Sequence, residues 1–198
     1  MESLSKVQKR IAKKKQVYKP ILENPYTNEG EMWPRVSDQA LVVELLNNYV
    51  LRPLKHAAEM EGSQCPVEVV AGFNPVMECL VADGPDGTDA ARDMLLFVCN
   101  KDGTPSVLLS QIPIAAYMAR GNVTVVQLPK GTLSKFDECL VGTVHDGLLL
   151  VPVIKALDPS FVSNVKKCVQ DRKLQWLDPL KYRPASTKLL ATTRPLSK

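Results

Sequence analysis

No G-x-x-x-x-G-K-[ST] loop, no G-x-G-x-x-G after a strand and no G-x-S-x-G turn occurs in this chain of 198 residues. The usual phosphate cradles and the nucleophile elbow of α/β enzymes are thereby excluded. Histidine is scarce, with only His56 and His145. His145 stands beside Asp146, but sequence neighbours rarely face each other productively, and no nucleophile completes a triad. Asp102 follows the apolar run "LLFVCNK", where α/β enzymes place ligands, yet a turn in "NKDGTP" explains it equally well. The five cysteines, Cys65, Cys79, Cys99, Cys139 and Cys168, are odd in number and form no C-x-x-C. They describe neither a disulfide framework nor a zinc site, and read as small buried hydrophobes. No apolar run reaches the ~18 residues of a membrane helix, and the lysine-studded start lacks a secretory core. A soluble, intracellular protein without catalytic residues, metal or cofactor is expected.

What is present is charge, unevenly placed. The net charge of +4 conceals seven Lys/Arg against one acid in residues 1–20, and seven against two in residues 171–198. Residues 21–170 hold 11 basic and 18 acidic residues, so two basic ends flank an acidic body. That distribution makes the ends the parts that meet a polyanion.

Periodicity supplies the body. "SLSKVQKRIAKKKQV" has the spacing of a short basic amphipathic helix, and the proline-dense "YKPILENPYTNEGEMWPRV" reads as an extended segment anchored by its rings. Ser37 or Asp38 caps a helix with Leu41, Leu45, Leu46, Tyr49 and Leu54 on its buried stripe and a bend at Pro53. "PVEVVA" is a brief strand, and after it Asn74 and Pro75 suit the N-cap and first position of a helix over 76–82. "DGPDGTDAARD" is an acidic surface loop. "MLLFVC", "NVTVVQL" and "GLLLVPVI" read as strands, with helices in "SVLLSQIPIAAYMA", "TLSKFDECLV" and 159–170 between and after them. The alternation predicts an α/β body with helices on both faces of a small sheet. The expected organisation is a basic arm at 1–36, a domain at 37–170 and a second arm at 171–198.

With "GFNPV", "LLFVCNKD", "QIP" and "VVQLPKGTLSKF" placed, the chain resembles the superfamily of kink-turn RNA-binding proteins. That resemblance implies a three-layer α/β/α sandwich with a small mixed sheet, and RNA docking through a helix start of the pattern G-x-N-x-V-T-K. Gly72, Asn74 and Val76 match its anchors, whereas Met77 and Glu78 stand where threonine and a basic residue are usual. Within the superfamily, "RIAKKKQVYKPILENPYTNEGEMWPRV", "LPK", "LQWL", "KYRP" and "KLLATT" resemble the fungal Pop-three-type subunits of nuclear ribonuclease P and ribonuclease MRP. The resemblance spans both arms. It implies a noncatalytic ribonucleoprotein component, resident in nucleus and nucleolus, whose partners are the RNA and other protein subunits of those particles. Their work is precursor tRNA and precursor ribosomal RNA processing.

The resemblance places a second contact in the loop before the last strand, at Val144 and His145. Lys6, Lys9, Arg10, Lys13, Lys14, Lys15 and Lys19 at one end, and Arg172, Lys173, Lys181, Arg183, Lys188 and Arg194 at the other, are the expected phosphate contacts. Tyr18, Tyr26, Trp33, Trp176 and Tyr182 are the expected anchors, with docking on protein favoured over stacking on bases. A protein-interaction adaptor touching RNA only through its arms is the alternative, supported by the acidic body.

Overall fold

Two strands that are apolar but for Asp93 at the start of the first, Asp93–Val98 and Leu148–Pro152, pair antiparallel at the centre of a four-stranded sheet. The computed structural model describes residues 14–22, 32–60, 67–81, 93–102, 106–170 and 187–195. They fall into two units, one of residues Glu29–Gln175 and one assembled from Met1–Asn28 and Trp176–Lys198. In chain order the elements are β1 (Lys14–Leu22), β2 (Arg35–Val36), α1 (Gln39–Leu46), a π turn (Asn47–Leu51), α2 (Arg52–Glu59) and β3 (Val70–Ala71). There follow α3 (Phe73–Val81), β4 (Asp93–Val98), α4 (Ser106–Leu109), α5 (Ile112–Met118) and β5 (Asn122–Gln127). The series closes with α6 (Leu133–Cys139), β6 (Leu148–Pro152), α7 (Pro159–Cys168), β7 (Val169–Gln170) and β8 (Thr187–Pro195).

In the larger unit the sheet order is β3-β6-β4-β5, with β4 and β5 parallel and the other pairs antiparallel. Alternation along the central strands feeds two cores. Leu95, Phe97, Leu149 and Val151 join one cluster with residues of α1, the π turn, α6 and α7. Leu96, Val98, Leu148 and Leu150 join the other with residues of α3 and α5. Helices thus cover both faces, giving the α/β architecture expected, in three layers. Each fully buried leucine or phenylalanine contributes roughly 1.5–3 kcal/mol.

Several local expectations are corrected. Asp38 does cap α1, accepting from the Leu41 amide at 2.9 Å. Of the expected stripe Leu46 is fully buried and Leu45, Tyr49 and Leu54 pack partly buried against the same cluster, whereas Leu41 is 40% exposed and Val42, Val50 and Leu51 are buried beside them. The Arg52 amide donates to the Asn47 carbonyl five residues back, forming the π turn just before Pro53. The extra residue in that turn displaces the apolar face only in the residues that follow it. Pro113 lies in the first turn of α5, where its missing N–H is harmless, so it starts a helix after α4 has ended. Residues 169–170 leave α7 to form β7, paired antiparallel with β2. Trp33 is 7% exposed and belongs to the second core cluster, so this ring anchors on its own domain.

In the smaller unit β1 and β8 pair antiparallel, from Lys14 opposite Pro195 to Leu22 opposite Thr187. Residues 18–22 are extended as the prolines suggest, but paired: a two-stranded ribbon leaves each strand an open side where Pro20 needs no donor. Of the stretch 3–17 expected as an amphipathic helix, residues 3–13 lie outside the described residues, and residues 14–17 are strand in β1 instead, because pairing with β8 supplies their backbone bonds.

Candidate nucleic-acid interface

Antiparallel pairing of β3 with β6 brings the end of β3 beside the loop that enters β6. At that edge the Gly72 amide donates to the Leu148 carbonyl at 3.3 Å, and the Val76 amide donates to the Gly72 carbonyl at 3.2 Å. Gly72 is therefore the N-cap, and Asn74, expected there, lies inside the first turn of α3. Gly72 has φ +92, and a Cβ on it would sit 2.9 Å from the Val144 carbonyl oxygen, so only glycine fits both the turn and the approach.

The cap's usual work is done from across the edge. The Asp146 carboxylate accepts from the Phe73 amide at 3.0 Å, 73 residues away in sequence. Asp146 has φ 46 and Gly147 φ 72, and the Leu148 amide donates to the His145 carbonyl at 2.7 Å. Two central residues at positive φ make a tight turn of the kind Asp-Gly favours. That dipeptide is the sequence signal for the turn; nothing local could announce its contact with Phe73.

His145 organises the same loop. The Gly147 amide donates to Nδ1 at 3.2 Å, which leaves the proton on Nε2 to donate to Asp137 Oδ1 at 3.1 Å. The ring stands edge-on to Phe136, centroids 5.7 Å apart, and the side chain is 11% exposed. Its ring nitrogens are thus committed, one within the loop and one to α6. Val144, by contrast, is 77% exposed. Asn74 is exposed on α3, and Val76 is fully buried beneath it, in the second core cluster.

A second helix start shows the same device. Asp102, 9% exposed, accepts from the Gly131 amide at 2.5 Å and from the Leu133 amide at 2.9 Å at the beginning of α6. This residue, a candidate by position for a ligand site, therefore holds the loop "PKGTL" to the end of β4.

Nucleophile chemistry finds little support. Burial, then Asp102 and Asp137, pushes the Cys99 thiol up to about 12, and burial also raises Cys139. Cys79, exposed on α3, is raised by partial burial and by Glu78 and Glu68. Among the described residues no three His, Cys, Asp or Glu side chains gather as a metal site. An open groove of about 590 Å³ is lined by Ile154, Leu157 and Val162 together with Lys155, Lys166 and Lys167.

Of the expected phosphate contacts, Lys14, Lys15 and Lys19 lie on β1, and Lys188 and Arg194 on β8. Tyr18, also on β1, is 60% exposed. Lys6, Lys9, Arg10, Lys13, Arg172, Lys173, Lys181 and Arg183, and the rings of Tyr26, Trp176 and Tyr182, lie outside the described residues.

Comparison with known proteins gives two findings. Residues 13–179 match the family model described as RNase P subunit Pop3. The chain is also 43% identical over 195 residues to "Ribonucleases P/MRP protein subunit POP3" of Saccharomyces cerevisiae, covering 98% of this chain and 95% of that protein.

Proposed function

The chain belongs to the RNase P subunit Pop3 family, and from that premise we propose that it is a noncatalytic, RNA-binding architectural subunit of ribonuclease P and ribonuclease MRP. The observation that carries this reading is a similarity running through nearly the whole chain, both basic ends included. Its partners are the RNA subunits and the other protein subunits of the two particles. It resides in the nucleus and nucleolus and supports precursor tRNA 5′-end maturation and precursor ribosomal RNA processing. The domain at 37–170 docks on a bent or junction region through Asn74 and the exposed Val144 edge, as the kink-turn resemblance implies. Cations of the arms at 1–36 and 171–198 add salt-dependent affinity without sequence choice.

Crosslinking the protein to RNA in its own cells and sequencing the attached fragments tests this. Reads concentrated on the ribonuclease P and MRP RNAs are expected. Asn74→Asp then tests the helix start: an acid in the first turn suits the helix dipole, so folding persists while RNA binding falls. Unchanged binding removes Asn74 from the interface. Purified protein is expected to leave precursor tRNA intact without an RNA subunit.

One observation favours a second reading. The helix-start amide at Phe73 already holds the Asp146 carboxylate, which opposes an incoming phosphate. On that reading the protein is an adaptor between protein subunits, with RNA contact confined to the basic ends. Crosslinks mapping only to 1–36 and 171–198 decide for it.

A further inference from the structure

β1 and β8 form a ribbon of nine residues on each side. In an antiparallel pair, directly opposed side chains share a face and successive ones alternate. Lys15 is opposite Arg194, Lys19 opposite Leu190, and Lys188 opposite Ile21. The register therefore places Lys15, Lys19, Lys188 and Arg194 on one face, with Val17, Ile21 and Leu190 among them, and Tyr18, Leu22 and Leu189 on the other. The four cations, Tyr18, Leu22 and Leu189 are exposed, and neither strand contains an acid. From Lys15 to the level of Lys188 the cations span roughly 20 Å.

The geometry points to one phosphate-binding face, built jointly from both ends of the chain, that lies along the backbone of double-helical RNA. This rests on the RNA-binding reading above. Four cations at set spacing without an acid among them suit a regular polyanion. The partner is a double helix because the cationic face has no ring. Proteins hold single strands by stacking splayed bases on aromatic side chains, and the ribbon's one ring, Tyr18, is on the opposite face. The two ends therefore act as a single element. The pairing matters because it converts separate flexible charges into an array whose spacing the backbone sets.

The test uses the full chain, an RNA duplex of about 20 base pairs and one of its strands, with affinity followed across salt concentration. Wild type is expected to prefer the duplex. The face-swapped variant carries Lys15→Thr and Lys19→Thr with Gln16→Lys and Ala191→Lys, so its net charge is unchanged. It is expected to lose about tenfold or more in duplex affinity, with a salt slope lower by about two. A swapped variant that binds like wild type overturns the proposal and leaves the RNA-binding reading intact. Equal wild-type affinity for duplex and single strand overturns the choice of a double helix. Wild-type protein that binds neither probe takes the RNA-binding reading with it. Gln16→Cys with Thr193→Cys joins directly opposed positions on the other face and, once oxidised, holds the strands paired. The oxidised form is expected to keep wild-type affinity; a loss on oxidation, regained on reduction, shows that the paired ribbon is not the binding form and overturns the proposal.

Discussion

Two helices in the domain begin against a carboxylate supplied from far along the chain, and the two starts differ in depth. At α6 the carboxylate of Asp102 is buried and accepts from two amides, Gly131 and Leu133. At α3 the Asp146 carboxylate is exposed and accepts from one, Phe73. The electrostatic device is the same, since a helix start offers free amides and the positive end of the dipole. Burial decides what it does. At α6 the carboxylate and its amides are covered, and the bond serves the fold; at α3 the carboxylate is exposed, and an incoming anion would have to compete with it for the one donor.

The sharpest way to break the comparison is Asp102→Ala. Two amides would lose a charge-assisted partner away from water, for an expected loss of about 2–4 kcal/mol. Denaturant unfolding reads it as a lower midpoint at unchanged slope, and a loss as small as that of the exposed cap would end the distinction. Next comes Gly72→Ala, which forces a side chain into positive φ and against the Val144 carbonyl, for an expected loss of about 1–3 kcal/mol in the same assay. Asp146→Asn removes a charge from an exposed cap and is expected to cost about 0.5–1 kcal/mol. It should also raise affinity for transcribed ribonuclease P RNA by about two- to fivefold, and lowered affinity would show that Asp146 helps RNA binding.

The smallest effect sets a baseline. The Lys166 hydrogen bond, followed by that of Asn122, holds the Asp93 carboxyl below its ordinary value. A depressed folded value means the pair stabilises the protein fully above the unfolded carboxylate range, near pH ~4. The contribution disappears as pH falls through the folded value below it. Both side chains are partly exposed, so screening limits it to about 0.5 kcal/mol or less. Acid titration of Asp93→Asn beside wild type measures it as a slightly flatter stability curve.

The legible parts of this molecule were the local ones. "MLLFVC" and "GLLLVPVI" are apolar at every position because strands covered on both faces have no polar side, and they are the central strands β4 and β6. Asp38 was readable as a cap because its bond reaches only three residues ahead. The α/β class followed from such segments. At the site, Gly72 was legible as a motif residue, while its carbonyl neighbour Val144 and its capping neighbour Asp146 arrive through sheet pairing. A contact across 73 residues leaves no periodicity to read. The ribbon was hidden for the same reason, compounded by Pro20, which argues against a strand unless the strand has an open side. Trp33 looked like part of an arm because prolines surround it, and only the folded core shows where the ring goes.

The β2–β7 pair has a consequence in time. Arg35 pairs with Gln170, and the Ser37 hydroxyl donates to the Cys168 carbonyl at 3.1 Å, 131 residues away. During synthesis the early strand must wait for the late one to leave the ribosome, while the central strands β4 and β6 have had each other for longer. Within the domain this pairing is therefore among the last that synthesis permits, and a chain cut short before Val169 would leave β2 without its partner strand. The ribbon needs residue 187 and beyond, so its strands become available later still.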